Sequence, residues 1–209
     1  VENMPLGINF EKFSTAVKKK ATIKKARALK KLFKNQKLIF SVDRLDYTKG
    51  IANRLLGFEK FLETNPQFHK KVTLILTTQP SRVEIDDYQE LKNEVDQIVG
   101  RTNSRFGAVE WTPIIYQFTS LPFEEMVVRY LASDIALITP LRDGMNLVSK
   151  EFVAVKGKHS SGALVLSETA GSARELTQAI MINPNDPEEI SAAIRQALEL
   201  KPSEQKKRL

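Results

Sequence analysis

The 209-residue sequence contains no cysteine and only two histidines, His69 and His159. Without thiols there is no disulfide framework, no thiolate nucleophile and no Cys-type zinc site, and two histidines in separate polar segments exclude a histidine-rich metal cluster. Both histidines read as surface residues. Glycine is sparse, and its spacing matters more than its number. The nine glycines include no G-x-G-x-x-G, so an ordinary dinucleotide site is unsupported. Gly157 and Gly162 have P-loop spacing, but Ala163 stands where that motif needs lysine. No apolar run is long enough to span a bilayer, and no apolar stretch near the start leads into a small-residue cleavage site. A soluble, cytoplasmic protein with no membrane partner is expected. The single tryptophan, Trp111, reads as structural rather than as a platform for sugar.

Acidic residues are scarce in one place. Residues 1–37 hold eleven of the 32 Lys and Arg but two of the 25 Asp and Glu, which leaves 21 bases against 23 acids for the rest of the chain. The formal charge of +7 therefore belongs to the leader, and the nearly neutral body argues against a nucleic-acid partner. A basic helix is expected around Lys18, Lys19, Lys20, Lys24, Lys25, Lys30 and Lys31. Its lysines read first as a solvated face, with a polyanion or membrane surface as the alternative. The chain opens at Val1 with a strand-like Met4-Pro5-Leu6-Gly7-Ile8, as a piece of something longer would. Residues 1–36 are thus expected to be a short strand and basic helix, leading into one compact domain over 37–209.

From Lys37 onward, short apolar runs alternate with helical patterns. That alternation predicts an α/β fold, a Rossmann-like doubly wound parallel sheet with helices on both faces. Strands are expected at 38–42, 72–76, 114–118, 135–138, 163–166 and 179–182. Helices are expected at about 53–62, from a capping box at Ser81 and Glu84, at 123–132, at 146–156, from near Gly171, and finally after Asp186-Pro187, where aspartate caps and proline takes the first helical position.

In such a sheet a ligand sits beyond the carboxyl ends of the strands, so the residues after each strand carry the chemistry. After the first comes Asp43-Arg44-Leu45-Asp46-Tyr47-Thr48-Lys49-Gly50. Arg44 offers a planar fork matched to phosphate oxygens, Lys49 a compact second charge, and the next helix its free amides. The same residues also describe a polar turn with two solvated cations. After the fourth strand comes Thr139-Pro140-Leu141-Arg142-Asp143-Gly144-Met145-Asn146-Leu147-Val148, followed by Lys150 and Glu151. Asp143 suits sugar hydroxyls, the amides from Met145 to Val148 suit diphosphate or hexose oxygens, and Glu151 suits a ribose diol. Taken singly, an Asp-Gly turn and an exposed helix glutamate are the commoner readings of these residues.

Together the two loops resemble the donor-site signatures of the trehalose-6-phosphate synthase family. The similarity runs from Arg44 to Gly50 and from Leu141 to Val148, and continues through Lys150-Glu151-Phe152-Val153-Ala154. Pro5-Leu6-Gly7-Ile8 looks like that family's interdomain junction, and Ser167-Glu168-Thr169-Ala170-Gly171 and Ile182-Asn183-Pro184 look like its later strand ends. The resemblance implies the C-terminal half of a retaining GT-B glycosyltransferase, moving glucose from UDP-glucose or another NDP-glucose to glucose 6-phosphate. Arg44 and Lys49 would then act on the donor diphosphate as the catalytic pair. Asp143, Gly144, Met145, Asn146, Leu147 and Val148 would hold glucose and phosphates, Glu151 the ribose and Leu121 the base. No cofactor and no metal are called for, and a homo-oligomer is compatible with the full-length protein.

Two positions depart from the pattern. Phe152 stands where tyrosine is commoner, and Asn183-Pro184-Asn185-Asp186 replaces a motif that usually carries tryptophan. The acceptor-binding half would precede this domain, so the fragment alone is expected to be inactive. A glucosylglycerol-phosphate synthase-like transferase and a non-catalytic nucleotide-sugar-binding regulatory subunit are the alternatives.

Overall fold

A computed structural model describes residues 7–34, 36–80, 86–157 and 160–209. The capping box at Ser81 and Glu84, His159 and the first residues of the strand-like opening lie outside the described residues. Gly7 and Ile8, the described part of that opening, are irregular chain ahead of the first helix.

Six parallel strands form one sheet, β1 (Lys37–Arg44), β2 (Val72–Gln79), β3 (Ile114–Phe118), β4 (Ile135–Ile138), β5 (Ala163–Ser167) and β6 (Ile180–Ile182). Their order is β3-β2-β1-β4-β5-β6. This is the doubly wound arrangement expected from the sequence. The chain winds outward from β1 to one edge, returns, and winds to the other, so the order reverses between β1 and β4. In sheets of this kind, connections that diverge at such a point are where a crevice forms.

The apolar runs are continuous because both faces of the sheet are covered. Alternate residues point to opposite sides. Ile39, Leu74, Leu76, Leu137 and Val165 pack under α3 (Ile51–Thr64), α4 (Asp86–Phe106) and α7 (Pro187–Glu199), while Leu38, Phe40, Val42, Ile138 and Leu166 pack under α1 (Phe10–Lys18), α5 (Phe123–Ala132) and α6 (Leu147–Lys156). Asp186 caps α7 as its sequence predicts, accepting from the amides of Glu188 at 2.9 Å and Glu189 at 3.2 Å. Trp111 is buried, its indole N–H donating to the Val72 carbonyl at 2.9 Å, which is a structural role. His69 is half-buried rather than a surface residue, because its ring stacks on Trp111 and its Nε2 meets the Leu62 carbonyl at 2.8 Å.

Other expectations need correction. The basic leader forms two helices, α1 and α2 (Lys20–Leu32), with extended backbone at Lys19 (ψ 129°). The apolar faces explain the break. At about 100° per residue, one continuous helix would place Thr22 roughly opposite Phe13, and Thr22 with Ala26 well off the face shared by Phe13 and Ala16. All four are buried, against α5 and α6, so the chain must turn between them. The lysines at 18, 19, 20, 24, 25 and 31 are exposed, whereas Lys30 pairs with Asp134. Near Gly171 there is one 3-10 turn, Gly171–Arg174, rather than a full helix, and α8 (Pro202–Arg208) is an addition to the predicted set.

Away from the crevice, Lys156 at the end of α6 is 3% exposed. Its ammonium donates to the carbonyls of Leu131, at 3.1 Å, and Ser133, closing the C-terminal end of α5. Burial pushes this lysine down to about 7; Asp134 opposes that, and Lys30 and Lys37 add to it. Between there and the ordinary 10.5, the unfolded chain keeps a proton that the folded chain releases, so stability from this group rises with pH. Urea midpoints of the native chain and Lys156→Met at pH 7 and pH 9 check this. The native chain should gain on the variant at the higher pH, and parallel behaviour would contradict the assignment.

Candidate functional site

The turn after β1 is shaped by its own side chains. Asp46 Oδ1 accepts from the Thr48 amide at 2.9 Å and hydroxyl at 2.6 Å, which opens the 3-10 turn Tyr47–Lys49. Burial alone would raise the Asp46 carboxyl, but these bonds, with Lys49 and Arg44 nearby, hold it below its ordinary value. Gly50 then adopts φ +60° and starts α3. Only glycine suits this point, because a Cβ would lie 2.5 Å from the Thr139 carbonyl oxygen. The close approach brings the turn against the end of β4. There the Thr48 carbonyl accepts from the amides of Leu141 at 2.8 Å and Arg142 at 3.1 Å, so the two loops singled out in the sequence are joined directly.

The second loop closes on Asp143. Its Oδ1 accepts from the amides of Met145 at 3.2 Å and Asn146 at 3.1 Å, and its Oδ2 from Asn146 Nδ2 at 3.2 Å and from Lys49 Nζ at 2.6 Å. A carboxylate has about four lone-pair sites, and four donors occupy them. Burial would raise this carboxyl, yet Lys49 and the two amides hold it below the ordinary range. Asn146, in the left-handed region at φ 60°, caps α6 by accepting from the Ser149 amide at 3.0 Å. The carboxylate is spent on the two residues ahead of α6, and the cap on the first turn of the helix. The amides of Leu147 and Val148 belong to that same turn, where helix geometry supplies no intrahelical acceptor.

A third loop, after β5, holds the second from behind. Gly171 donates its amide to the Asp143 carbonyl at 2.8 Å, the Ser172 amide reaches the Met145 carbonyl at 2.8 Å, and the hydroxyls of Ser149 and Ser172 meet at 2.8 Å. Thr169 adds a bond from its hydroxyl to the Pro140 carbonyl at 2.8 Å.

The residues expected at the site fall into two groups. Lys49 and Asp143 are in contact, and Gly144, Met145, Asn146, Leu147 and Val148 follow them around the start of α6. Arg44, the last residue of β1, is exposed. Glu151 and Leu121 lie on the α5 and α6 side. Glu151 is half-buried and accepts from the Tyr130 hydroxyl at 2.9 Å, and Leu121 packs partly into the core beneath α5. Burial raises the Glu151 carboxyl, and the Tyr130 hydroxyl and the charge of Lys12 work against that rise. Among the described residues, no group of three or more His, Cys, Asp or Glu is arranged to hold a metal.

Two residues were missed by the motifs, and for one of them the sequence does carry a sign. Arg54 falls on the buried stripe of α3 marked by Ile51, Leu55, Phe58 and Leu62, where a charge is out of place. Tyr130, buried in the core, leaves no such sign, because a tyrosine on an apolar helix face reads as packing.

Residues 1–209 match Glycosyltransferase family 20. The chain belongs to that family. It is 43% identical over 196 residues to the 56 kDa subunit of alpha,alpha-trehalose-phosphate synthase [UDP-forming] from Saccharomyces cerevisiae, which covers 94% of this chain and 39% of the yeast protein. An E. coli structure bound with UDP-2-fluoro glucose superposes with a TM-score of 0.94 at 39% identity, over 99% of this chain and 46% of that one. The alpha,alpha-trehalose-phosphate synthase (UDP-forming) from Burkholderia xenovorans, in complex with glucose-6-phosphate, gives 0.93 at 35% identity, over 98% and 45%. This family 20 chain therefore spans less than half the length of these relatives.

The loop junction makes a specific demand on glycine. A Cβ on Gly171 would lie 2.0 Å from the Gly144 carbonyl oxygen, so Gly171→Ala should displace residues 143–145 and cost about 2 kcal/mol of stability. Gly100, exposed within α4 with nothing within 4 Å of an added Cβ, should instead tolerate alanine or gain up to about 1 kcal/mol. Urea denaturation of the two variants separates these outcomes.

Proposed function

We propose that this chain is the donor-binding half of a retaining GT-B glycosyltransferase that transfers glucose from UDP-glucose to glucose 6-phosphate, forming alpha,alpha-trehalose 6-phosphate in the cytoplasm. One observation carries the reading. Lys49 and Asp143 meet at 2.6 Å across the point where the strand order reverses, beside the first turn of α6. Cation, carboxylate and helix amides are the groups that a sugar diphosphate needs. Membership of family 20 and the UDP-forming relatives supply the substrate class. Residues 1–36 are assigned to the junction with the acceptor-binding half, and 37–209 to the donor domain.

The roles follow from charge. Arg44 and Lys49 take the donor diphosphate, with the amides of Leu147 and Val148 completing the grip. The bond between the anomeric carbon and the phosphate oxygen breaks, the acceptor hydroxyl oxygen bonds to that carbon and its proton leaves with the UDP, and cations already in place stabilise the negative charge that collects on the departing phosphate. Glu151, aimed by Tyr130, takes the ribose diol, and Leu121 borders the base. Asp143 takes glucose hydroxyls, but its lone pairs are full until Lys49 leaves it. Binding of the diphosphate draws Lys49 away and frees the carboxylate for the sugar. The two halves of the donor thus bind in support of each other.

Calorimetric titration with UDP, ADP and GDP tests the assignment. The chain should bind UDP weakly and in preference to the other two, and Arg44→Ala or Lys49→Ala should each weaken UDP by about tenfold, about 1.4 kcal/mol. In a complete two-domain enzyme, either change should cost roughly 3 kcal/mol of transition-state stabilisation. Equal binding by Arg44→Ala would contradict the diphosphate grip, and synthesis of trehalose 6-phosphate by the 209-residue chain alone would contradict the division of labour. Asp143→Asn gives an opposite sign. Without the carboxylate to hold Lys49, UDP should bind about threefold more tightly, while the added affinity that the glucose of UDP-glucose brings should disappear.

A further inference from the structure

Arg54 is fully buried, yet the roles assigned to the donor site do not use it. A guanidinium taken out of water is tolerated only where its donors are met, and these four bonds reach three separate pieces of chain. Nε donates to the Thr139 hydroxyl at 3.0 Å, at the end of β4. Nη1 donates to the Ser41 hydroxyl at 2.5 Å, within β1. Nη2 donates to Asp43 Oδ2 at 2.8 Å and to the Lys49 carbonyl at 3.0 Å. Burial raises the Asp43 carboxyl, and the Arg54 guanidinium works against that rise.

One planar group therefore ties together both strands that flank the crevice and the turn that carries Lys49. We propose that Arg54 is a positioning residue for the diphosphate grip. It fixes the Lys49 backbone, and through it the reach of the ammonium toward phosphate or Asp143, without touching the ligand itself. The inference rests on the reading of this crevice as a diphosphate site. Lysine cannot replace the fork, because its three donors radiate from one atom on a flexible stem and cannot span Ser41, Asp43, Thr139 and the Lys49 carbonyl together. Release of that carbonyl would loosen the turn whose neighbouring carbonyl, that of Thr48, holds the amides of Leu141 and Arg142.

UDP titrations of the unsubstituted chain, Arg54→Lys, Thr139→Val and Lys49→Ala, with each of the first two changes also combined with Lys49→Ala, decide the matter. Arg54→Lys should bind UDP about tenfold more weakly and Thr139→Val about threefold more weakly, each with native circular dichroism. In the Lys49→Ala background the same changes should alter UDP affinity by less than about twofold, because the group being positioned is gone. A strut with no part in positioning would lower the melting temperature but leave UDP affinity unchanged, or would weaken binding by the same factor in both backgrounds. Either result overturns the inference while the diphosphate site stands. Should Arg54→Lys fail to fold, the Thr139→Val cycle carries the same decision. Failure of the unsubstituted chain to bind UDP would overturn both the site and the inference.

Discussion

An ammonium group and a carboxylate, Lys49 and Asp143, face each other across the one place in the sheet where neighbouring strands send their connections in opposite directions. Such a pair in water would contribute little. Here both side chains are largely covered, and the carboxylate also organises the loop that leads into α6. The contact therefore does two things. It joins the loops that follow β1 and β4, and on the proposed reading it holds a cation and an acceptor ready for a sugar diphosphate. In the proposed function, a ligand with the right charge takes over one partner and liberates the other.

Around this contact the polar groups of three loops satisfy one another in a fixed order. Thr48 holds the chain after β4, that chain is held in turn by Thr169, Gly171 and Ser172 after β5, and Arg54 grips the first loop from below. Buried polar groups tolerate few vacancies, so a network this complete restricts each loop to one arrangement. The apolar layers on either face of the sheet supply the rigid support. Precision at the strand ends follows from both.

Much of this was legible in the sequence. All six strands appear where the apolar runs placed them, because a strand buried on both faces has no polar alternation, although β1 runs on through Asp43-Arg44 and β2 through Thr77-Thr78-Gln79. The two loops were legible as well, since Arg44 closes β1, and Lys49 and Asp143 lie in the turns that follow β1 and β4. The break at Lys19 was not, because a lysine run is equally helical on either side of it. Only the change of apolar face between Ala16 and Thr22 betrays the turn, and that change is set by packing against α5 and α6. The saturation of Asp143 was illegible too: which donors a carboxylate collects depends on how two distant loops approach. Arg54 lay in plain view on an apolar stripe, but its partners belong to β1, β4 and the Lys49 turn, which no local pattern connects.

The central claim is that this crevice accepts a diphosphate by exchanging the carboxylate partner of Lys49 for phosphate. A crystal structure of the chain with UDP bound tests it directly. The account predicts phosphate density between Arg44, Lys49 and the first turn of α6, with the lysine ammonium withdrawn from Asp143. Density for UDP elsewhere, such as the groove between β6, α7 and α8 lined by Arg195 and Lys201, with the Lys49 to Asp143 contact intact, would contradict it.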